Sequence, residues 1–181
     1  TFEGEIETLA YGGRGITRPG GFVVFVSGGL PGDKVRAEVT KSKRGYAEAN
    51  AVEILSPGPN RLEDVDIHQG EPCPGASWQA LDYERQLAFK EEHVADALTR
   101  IGKLGDVNID PIIGADQQWR YRNKVEYSFG EQDGELVLGF HPRGHWDEVL
   151  DIEDCHLSSE ATNAARNEVM AWARAEGLTA Y

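Results

Sequence analysis

Three short runs of β-branched and aromatic residues, cut apart by glycine and proline, occupy the first part of the chain and narrow its fold more than anything downstream. Phe22–Val26 and Lys34–Val39 are separated by Ser27-Gly28-Gly29-Leu30-Pro31-Gly32-Asp33, and Tyr46–Leu55 runs into Pro57-Gly58-Pro59. Short strands at close spacing with turn residues between them predict a small β-barrel. Ahead of them lies Ala10-Tyr11-Gly12-Gly13-Arg14-Gly15-Ile16. Its glycines permit a tight turn at positive φ and leave Arg14 projecting from a backbone that a ligand can approach closely. Spacing alone leaves two readings open, a purely structural barrel and one that binds an oligonucleotide.

Charge bears on that choice. With 18 Lys and Arg against 31 Asp and Glu, the formal net charge is -13, which at first sight argues against a nucleic-acid partner. Its distribution matters more. Residues 1–56 hold seven basic and seven acidic side chains, so the whole excess of acid lies after Ser56. Lys41, Lys43 and Arg44 sit together with no acid among them. Such a local patch can bind RNA, although long-range attraction to an acidic protein is weak, and the plainer reading is a solvated turn between two strands.

Other classes are bounded quickly. No run of about 18 apolar residues suggests a membrane span, and no charged start with an apolar stretch suggests a signal peptide. Two cysteines are too few for a disulfide framework and suit a reducing compartment. A soluble, cytoplasmic, monomeric protein is the expectation.

Past the turn-rich break Ser56-Pro57-Gly58-Pro59-Asn60, residues 61–79 show little periodicity and read as an ordered loop around Cys73. A helix is predicted from Tyr83 to Ile101, with Asp82 as N-cap and Gly102 as stop, burying a stripe of Leu87, Val94, Leu98 and Ile101. Tyr121–Phe129 alternates as a strand that places Arg122 and Lys124 on one face, and Asp133-Gly134 turns it into Leu136–His141. Outward charges are also the default on a half-buried strand. Trp146–Ile152 reads as a further strand. A last helix is predicted from Ser159 to Glu176, with Ala165, Val169, Trp172 and Ala173 on its buried side and Gly177 as stop.

Several blocks make the chain recognisable. Ala10–Ile16, Val24–Val35 and Tyr46-Ala47-Glu48-Ala49 resemble the TRAM domain that opens RNA uracil-C5 methyltransferases and also occurs in tRNA methylthiotransferases. Gln79–Tyr83, Gln86–Lys90, Tyr121–Glu126, Leu138–His141 and Asp154-Cys155 are similar, in order, to the central domain of the enzymes that make 5-methyluridine in ribosomal or transfer RNA. The resemblance spans essentially all 181 residues. It implies an α+β chain: an OB-like, five-stranded TRAM barrel over residues 1–56, then a central domain over 57–181 built of a helix, an antiparallel sheet and a helix.

Many members of that family hold a four-iron four-sulfur cluster on four thiolates. Those places fall here on Ile67, Cys73, Ala76 and Cys155, so two cysteines remain, with His68 and His156 as neighbours, and no cluster is expected. The resemblance also implies that Cys73 and Cys155 lie near one another, as reduced thiols or as a disulfide after oxidation. Two unrelated buried cysteines fit the residues nearly as well. Family chemistry proceeds by thiolate attack on uracil C6, methyl transfer from S-adenosylmethionine to C5 and removal of the C5 proton by a carboxylate. No catalytic residue and no Gly-rich cofactor loop is legible in the chain. The resemblance therefore implies a Rossmann-like S-adenosylmethionine domain beyond Tyr181, and a recognition portion that binds RNA without methylating it.

Recognition would divide between two surfaces. On the barrel, Arg14, Arg18, Lys41, Lys43 and Arg44 would contact phosphates, while Tyr11 and Tyr46 either stack on unpaired bases or belong to the core. On the central domain, Arg122, Lys124, His141 and Arg143 would face the target nucleotide as it is extruded. A free-standing TRAM-type RNA-binding module and a tRNA methylthiotransferase are the alternatives. The barrel's place at the start and the lack of a closely spaced three-cysteine motif stand against the latter.

Overall fold

Strict alternation shapes the first sheet. In Val23–Ser27, Val24 and Val26 are buried while Val23, Phe25 and Ser27 stay nearer the surface, and the same period buries Val35, Ala37, Ala47 and Ala49. With Ile6 these six residues form one apolar cluster. Each buried Val or Ile is worth roughly 1.5–3 kcal/mol, so a one-residue slip that turned this set outward would forfeit the core.

The structure is a computed structural model that describes residues 1–63, 67–68, 71–73, 75–142 and 144–180, with 67, 68, 71 and 72 described at the level of backbone. The chain divides into two units, Thr1–Val65 with Ser77–Gly114, and Asp66–Ala76 with Ala115–Tyr181.

The first unit holds β1 (Phe2–Glu5), β2 (Thr8–Leu9), β3 (Gly15–Thr17), β4 (Val23–Ser27), β5 (Lys34–Ser42) and β6 (Tyr46–Ser56). They form one sheet in the order β1-β5-β6-β4-β3-β2, antiparallel except for the parallel pair β4 and β6. Three register shifts between β5 and β6 bend these long strands. Five strands were expected and six are seen, because the N-terminal segment is split at Ile6 and Glu7. That segment serves both ends of the curled sheet. Ile6 N–H donates to the Asp33 carbonyl at 2.9 Å and its carbonyl accepts from Gly32 at 2.8 Å, whereas Glu7 N–H donates to Ile16 at 2.8 Å.

A buried carboxylate holds the end of this sheet. Asp33 is fully enclosed and accepts from Leu30 N–H at 2.7 Å, Gly58 N–H at 2.8 Å and Arg61 Nη2 at 2.6 Å. Arg61 Nη2 also donates to the Gly28 carbonyl at 3.1 Å. A charge so far from water needs this many donors, and it ties three turns together.

Helix α1 (Tyr83–Asp96) starts where predicted, with the Asp82 carboxylate accepting from Arg85 N–H at 3.3 Å. It buries Phe89 against Leu9, Leu30 and Leu81, and His93 Nε2 lies 3.0 Å from the Leu9 carbonyl. The predicted stripe holds only for Leu87 and Leu98, which are half-buried. Val94 and Ile101 are exposed, because the packed side is set by Phe89 and His93 rather than by the Leu87 row. The helix ends in a wide π turn at Ala97–Ile101, and Gly102 N–H closes it on the Ala97 carbonyl at 2.8 Å.

The second unit contains the short pair β7 (Ile67–His68) and β8 (Glu71–Pro72) and a three-stranded antiparallel sheet of β9 (Ser128–Gln132), β10 (Glu135–Phe140) and β11 (Leu150–Asp151) in the order β11-β10-β9. Asp133 and Gly134 form the predicted turn at φ 53° and 83°, between Gln132 and its partner Glu135. The expected long strand from Tyr121 is shorter and begins at Ser128. Residues before it are drawn elsewhere: Arg120 N–H donates to His156 and Arg122 N–H to Leu157, each at 2.8 Å, so Arg122 pairs with Ser158 instead of continuing the hairpin.

Helix α2 (Glu160–Ala175) is capped by the Ser159 hydroxyl, which accepts from Thr162 N–H at 3.2 Å, and Gly177 follows it at φ 66°. Its buried side also departs from the pattern. Asn163, Arg166, Met170 and Ala173 are buried, while Ala165, Val169 and Trp172 are exposed. Polar groups win the inner face because they satisfy backbone: Arg166 donates to the Leu138 carbonyl and to the Asp151 carboxylate. Among the described residues, no helix is long and apolar enough to cross a membrane.

Candidate nucleic-acid interface

Register places one row of side chains across the outer face of the first sheet: Lys41 opposite Glu48, Glu48 beside Phe25, and Phe25 opposite Ile16. The Arg14 guanidinium lies 4.8 Å from the Phe25 ring centroid and 3.6 Å from Glu48. Tyr46 meets the same ring edge-on, with centroids 5.6 Å apart. Arg14 does not project, as the glycine turn suggested; its charge is drawn back onto an aromatic face and a carboxylate. Cation, two rings and acid thus form one group.

The turn behind Arg14 explains its glycines. Gly12 and Gly13 have φ of 89° and 90°. A Cβ on Gly13 would sit 2.8 Å from Trp78 Nε1, and one on Gly15 would sit 2.7 Å from the Gly29 carbonyl oxygen. Tyr11, at the tip, is 91% exposed and so is not core, whereas Tyr46 is half-buried.

The remaining barrel cations separate into two kinds. Arg18 pairs with Glu7, and Arg36 with Glu3 and Glu53. Hydrogen bonding to Glu3, with the charge of Glu53, holds the Arg36 guanidinium above its ordinary pKa. Lys41, Lys43 and Arg44 are exposed at the β5–β6 hairpin, which Lys43 N–H closes on the Tyr46 carbonyl at 2.9 Å, and among the described residues no carboxylate pairs with them. Exposed ion pairs are worth about 0–1 kcal/mol, so a phosphate could displace Glu7 from Arg18, whereas the clustered hairpin cations need no such exchange.

In the second unit a cavity of about 270 Å³ gathers residues from distant parts of the sequence. Cys73, Phe140, Cys155 and Leu157 supply apolar wall, and Arg122, Glu126, Ser128 and His141 supply polar atoms. Both cysteines are buried, reduced and in one apolar cluster with Ile152 and Leu157, against which Ala76 packs. The implied nearness of Cys73 and Cys155 is thus seen. As a donor set for a four-thiolate cluster the site does not fit, since the chain has two thiols, Ala76 offers none, and His156 turns to Asp154 at 3.4 Å and to the Trp119 ring.

The predicted residues of the second surface fare differently. Among the described residues nothing accepts from the Arg122 guanidinium. Lys124 is exposed and pairs with Glu126 at 2.8 Å. His141 Nδ1 faces the Glu148 carbonyl at 2.7 Å and so donates to it, and Nε2 lies 2.9 Å from the Ser128 hydroxyl. Both its nitrogens are occupied by protein. Arg143 lies outside the described residues.

Two features escaped the sequence reading. Phe25 was legible in principle, because buried Val24 and Val26 force it outward. The network around Cys155 was not. Arg120 clamps Asp154 through Nη1 at 2.6 Å and Nη2 at 2.9 Å, and Asn163 brackets Cys155 by accepting from its N–H and donating to its carbonyl, each at 3.1 Å. The hydrogen bonds to Asp154 hold the Arg120 guanidinium above its usual pKa. Burial pushes the Tyr127 phenol up, its hydroxyl donates to Asn163 Oδ1 at 3.4 Å, and its ring stacks on Phe140 at 4.9 Å.

Residues 1–52 match the TRAM domain. An uncharacterized RNA methyltransferase of Halalkalibacterium halodurans is 33% identical over 183 residues, covering 97% of this chain and 38% of the relative. One from Porphyromonas gingivalis is 37% identical over 179 residues, covering 90% and 38%. Over most of its length the chain is thus similar to proteins named RNA methyltransferases, with a TRAM domain at its start. It spans 38% of the length of those relatives. Its fold is that of the corresponding part of a Pyrococcus abyssi tRNA (uracil-54, C5)-methyltransferase in complex with S-adenosyl-L-homocysteine, with a TM-score of 0.68 at 22% identity over 97% of this chain and 37% of that one.

Proposed function

We propose that the chain is the RNA-recognition portion of an S-adenosylmethionine-dependent methyltransferase that forms 5-methyluridine, with ribosomal RNA the favoured substrate. The observation that carries this is the β5–β6 hairpin of the TRAM domain, where Lys41, Lys43 and Arg44 stand without carboxylate partners among the described residues, beside the Arg14–Phe25–Tyr46 group. Unpaired cations fix phosphates, and exposed rings hold unstacked bases. In this reading residues 1–56 close as an OB-like barrel and residues 57–181 form the central domain. S-adenosylmethionine would supply the methyl group, on a part of the protein other than these residues.

The reading assigns no catalytic residue here. Cys73 and Cys155, the chain's two thiols, are buried at the second-unit cavity, where they do not offer an exposed nucleophile. It also includes no iron-sulfur cluster, because two thiols are two short of the usual set.

The test is RNA binding as a function of salt. Charge reversal of two hairpin cations, Lys43→Glu with Arg44→Glu, should weaken binding to single-stranded RNA at least tenfold and reduce the slope of log K against log salt by about 1.4, since each contact to a single strand contributes about 0.7. Unchanged affinity and slope would remove the hairpin from the interface.

A further inference from the structure

We infer that the cavity of the second unit is a binding pocket for a single nucleobase, and that its chemistry selects guanine. The inference rests on the RNA-binding reading above and adds to it a site within the second unit.

Three properties of the cavity lead there. Its size, about 270 Å³, lies just below the roughly 300–1,000 Å³ of pockets that enclose drug-sized ligands, so it suits one base with the sugar left outside. Its lining includes the apolar side chains of Phe140, Leu157, Cys73 and Cys155, surfaces on which a flat ring can lie. Phe140 is already held by its stack on Tyr127, which fixes the ring as a platform. Third, among the described residues its charged groups are one guanidinium, Arg122, and one carboxylate, Glu126, which is largely exposed and shared with Lys124 at 2.8 Å.

That last property separates a base from a phosphate. A phosphate site gathers cations and excludes carboxylates, and here Glu126 would repel the anion that Arg122 attracts. A neutral ring with an acceptor edge and a donor edge satisfies both groups at once. Guanine carries them: O6 and N7 accept from a guanidinium, and the ring and exocyclic N–H groups donate to a carboxylate. Adenine lacks the O6 acceptor, and uracil has no amino group. His141 helps by immobility rather than by contact, because its Glu148 and Ser128 hydrogen bonds lock the rim beside Ser128.

Nothing already described accounts for the Arg122 guanidinium. Arg120, Asp154, Asn163 and Arg166 hold the unit together, whereas no acceptor among the described residues engages the Arg122 side chain, although its backbone is pinned to Leu157. Gly75 keeps the space open, since a Cβ there would lie 3.0 Å from Arg122 Nη1.

The experiment is a titration of the protein with guanosine, adenosine and uridine monophosphates and with ribose 5-phosphate, followed by amide chemical shifts. Guanosine monophosphate should shift the Ser128, His141 and Cys155 amides and bind about tenfold more tightly than the other three, as expected when one edge of hydrogen bonds is lost. Arg122→Met should abolish the response while leaving the unfolding midpoint unchanged, and Glu126→Gln should narrow the preference for guanine over adenine. Equal binding of ribose 5-phosphate would show a phosphate site, and an Arg122→Met variant that binds normally would remove the proposed reader. Either result overturns the inference, as does the absence of any shift with the guanine nucleotide. If RNA binding still depends on Lys43 and Arg44 in that event, the pocket fails and the RNA reading survives. If the pocket binds guanine while those cations prove irrelevant, the hairpin assignment fails alone.

Discussion

The β5–β6 hairpin of the first unit and the interior of the second use their basic residues in opposite ways. At the β5–β6 hairpin Lys41, Lys43 and Arg44 face water without carboxylate partners among the described residues, whereas in the second unit Arg120 and Arg166 are turned onto backbone carbonyls and carboxylates. Arg61 does in the first unit what Arg166 does in the second, each closing a pair with an aspartate. The lesson is that a count of cations says little about ligand affinity. Outward cations are available to a polyanion at little conformational cost, and inward ones are already bound to the fold.

This contrast is open to direct attack. The largest effect is expected at Asp33, where Asp33→Ala would strand Arg61 and leave the Leu30 and Gly58 amides without their acceptor. Removing one partner of a buried pair costs about 3–5 kcal/mol, so urea denaturation should show a large fall in midpoint. A loss below about 1 kcal/mol, the range of exposed ion pairs, would erase the distinction between inward and outward charge. Arg166→Ala comes next, at about 2–4 kcal/mol, because Asp151 is only partly enclosed and water can reach it once the guanidinium is gone. The double charge reversal at Lys43 and Arg44 should, in the same assay, move stability by no more than about 0.5 kcal/mol.

The smallest effect concerns pH. Tyr127 is held above its usual pKa of 10.0 by burial, so the folded state prefers the neutral phenol. That preference contributes fully below pH 10.0 and is lost as pH rises through the folded value. Wild-type stability should therefore decline above that point more steeply than that of Tyr127→Phe. Parallel curves would show that Tyr127 ionises as readily in the folded protein as outside it.

How much of this was written in the sequence depends on which interaction decided each element. Alternation in Val23–Ser27, the caps at Asp82 and Ser159, and the Asp133-Gly134 turn are local, and each could be read directly. The helix faces could not. In α2 the apolar run of Val169 and Trp172 suggested one side, but the fold chose the side with Asn163 and Arg166, because strands β10 and β11 present a carbonyl and a carboxylate that need donors. Likewise Tyr121–Tyr127 has strand character and lost its hairpin to a competing segment at His156–Ser158. Of the candidate interface, the cations were legible by composition. The cavity was not, since Cys73, Arg122 and Cys155 are brought together only by tertiary structure.

The clamp on Gly13 has a consequence for the aromatic tip beside it. Trp78 closes the space around Gly13, yet the ideal side-chain position on neighbouring Gly12 has no atom within 4 Å. One end of the turn is thus filled and the other faces open space, and the Tyr11 ring beside it meets His93 edge-on at 6.3 Å while staying 91% exposed. An incoming strand can therefore reach the outer side of that ring without displacing any part of the sheet beneath it.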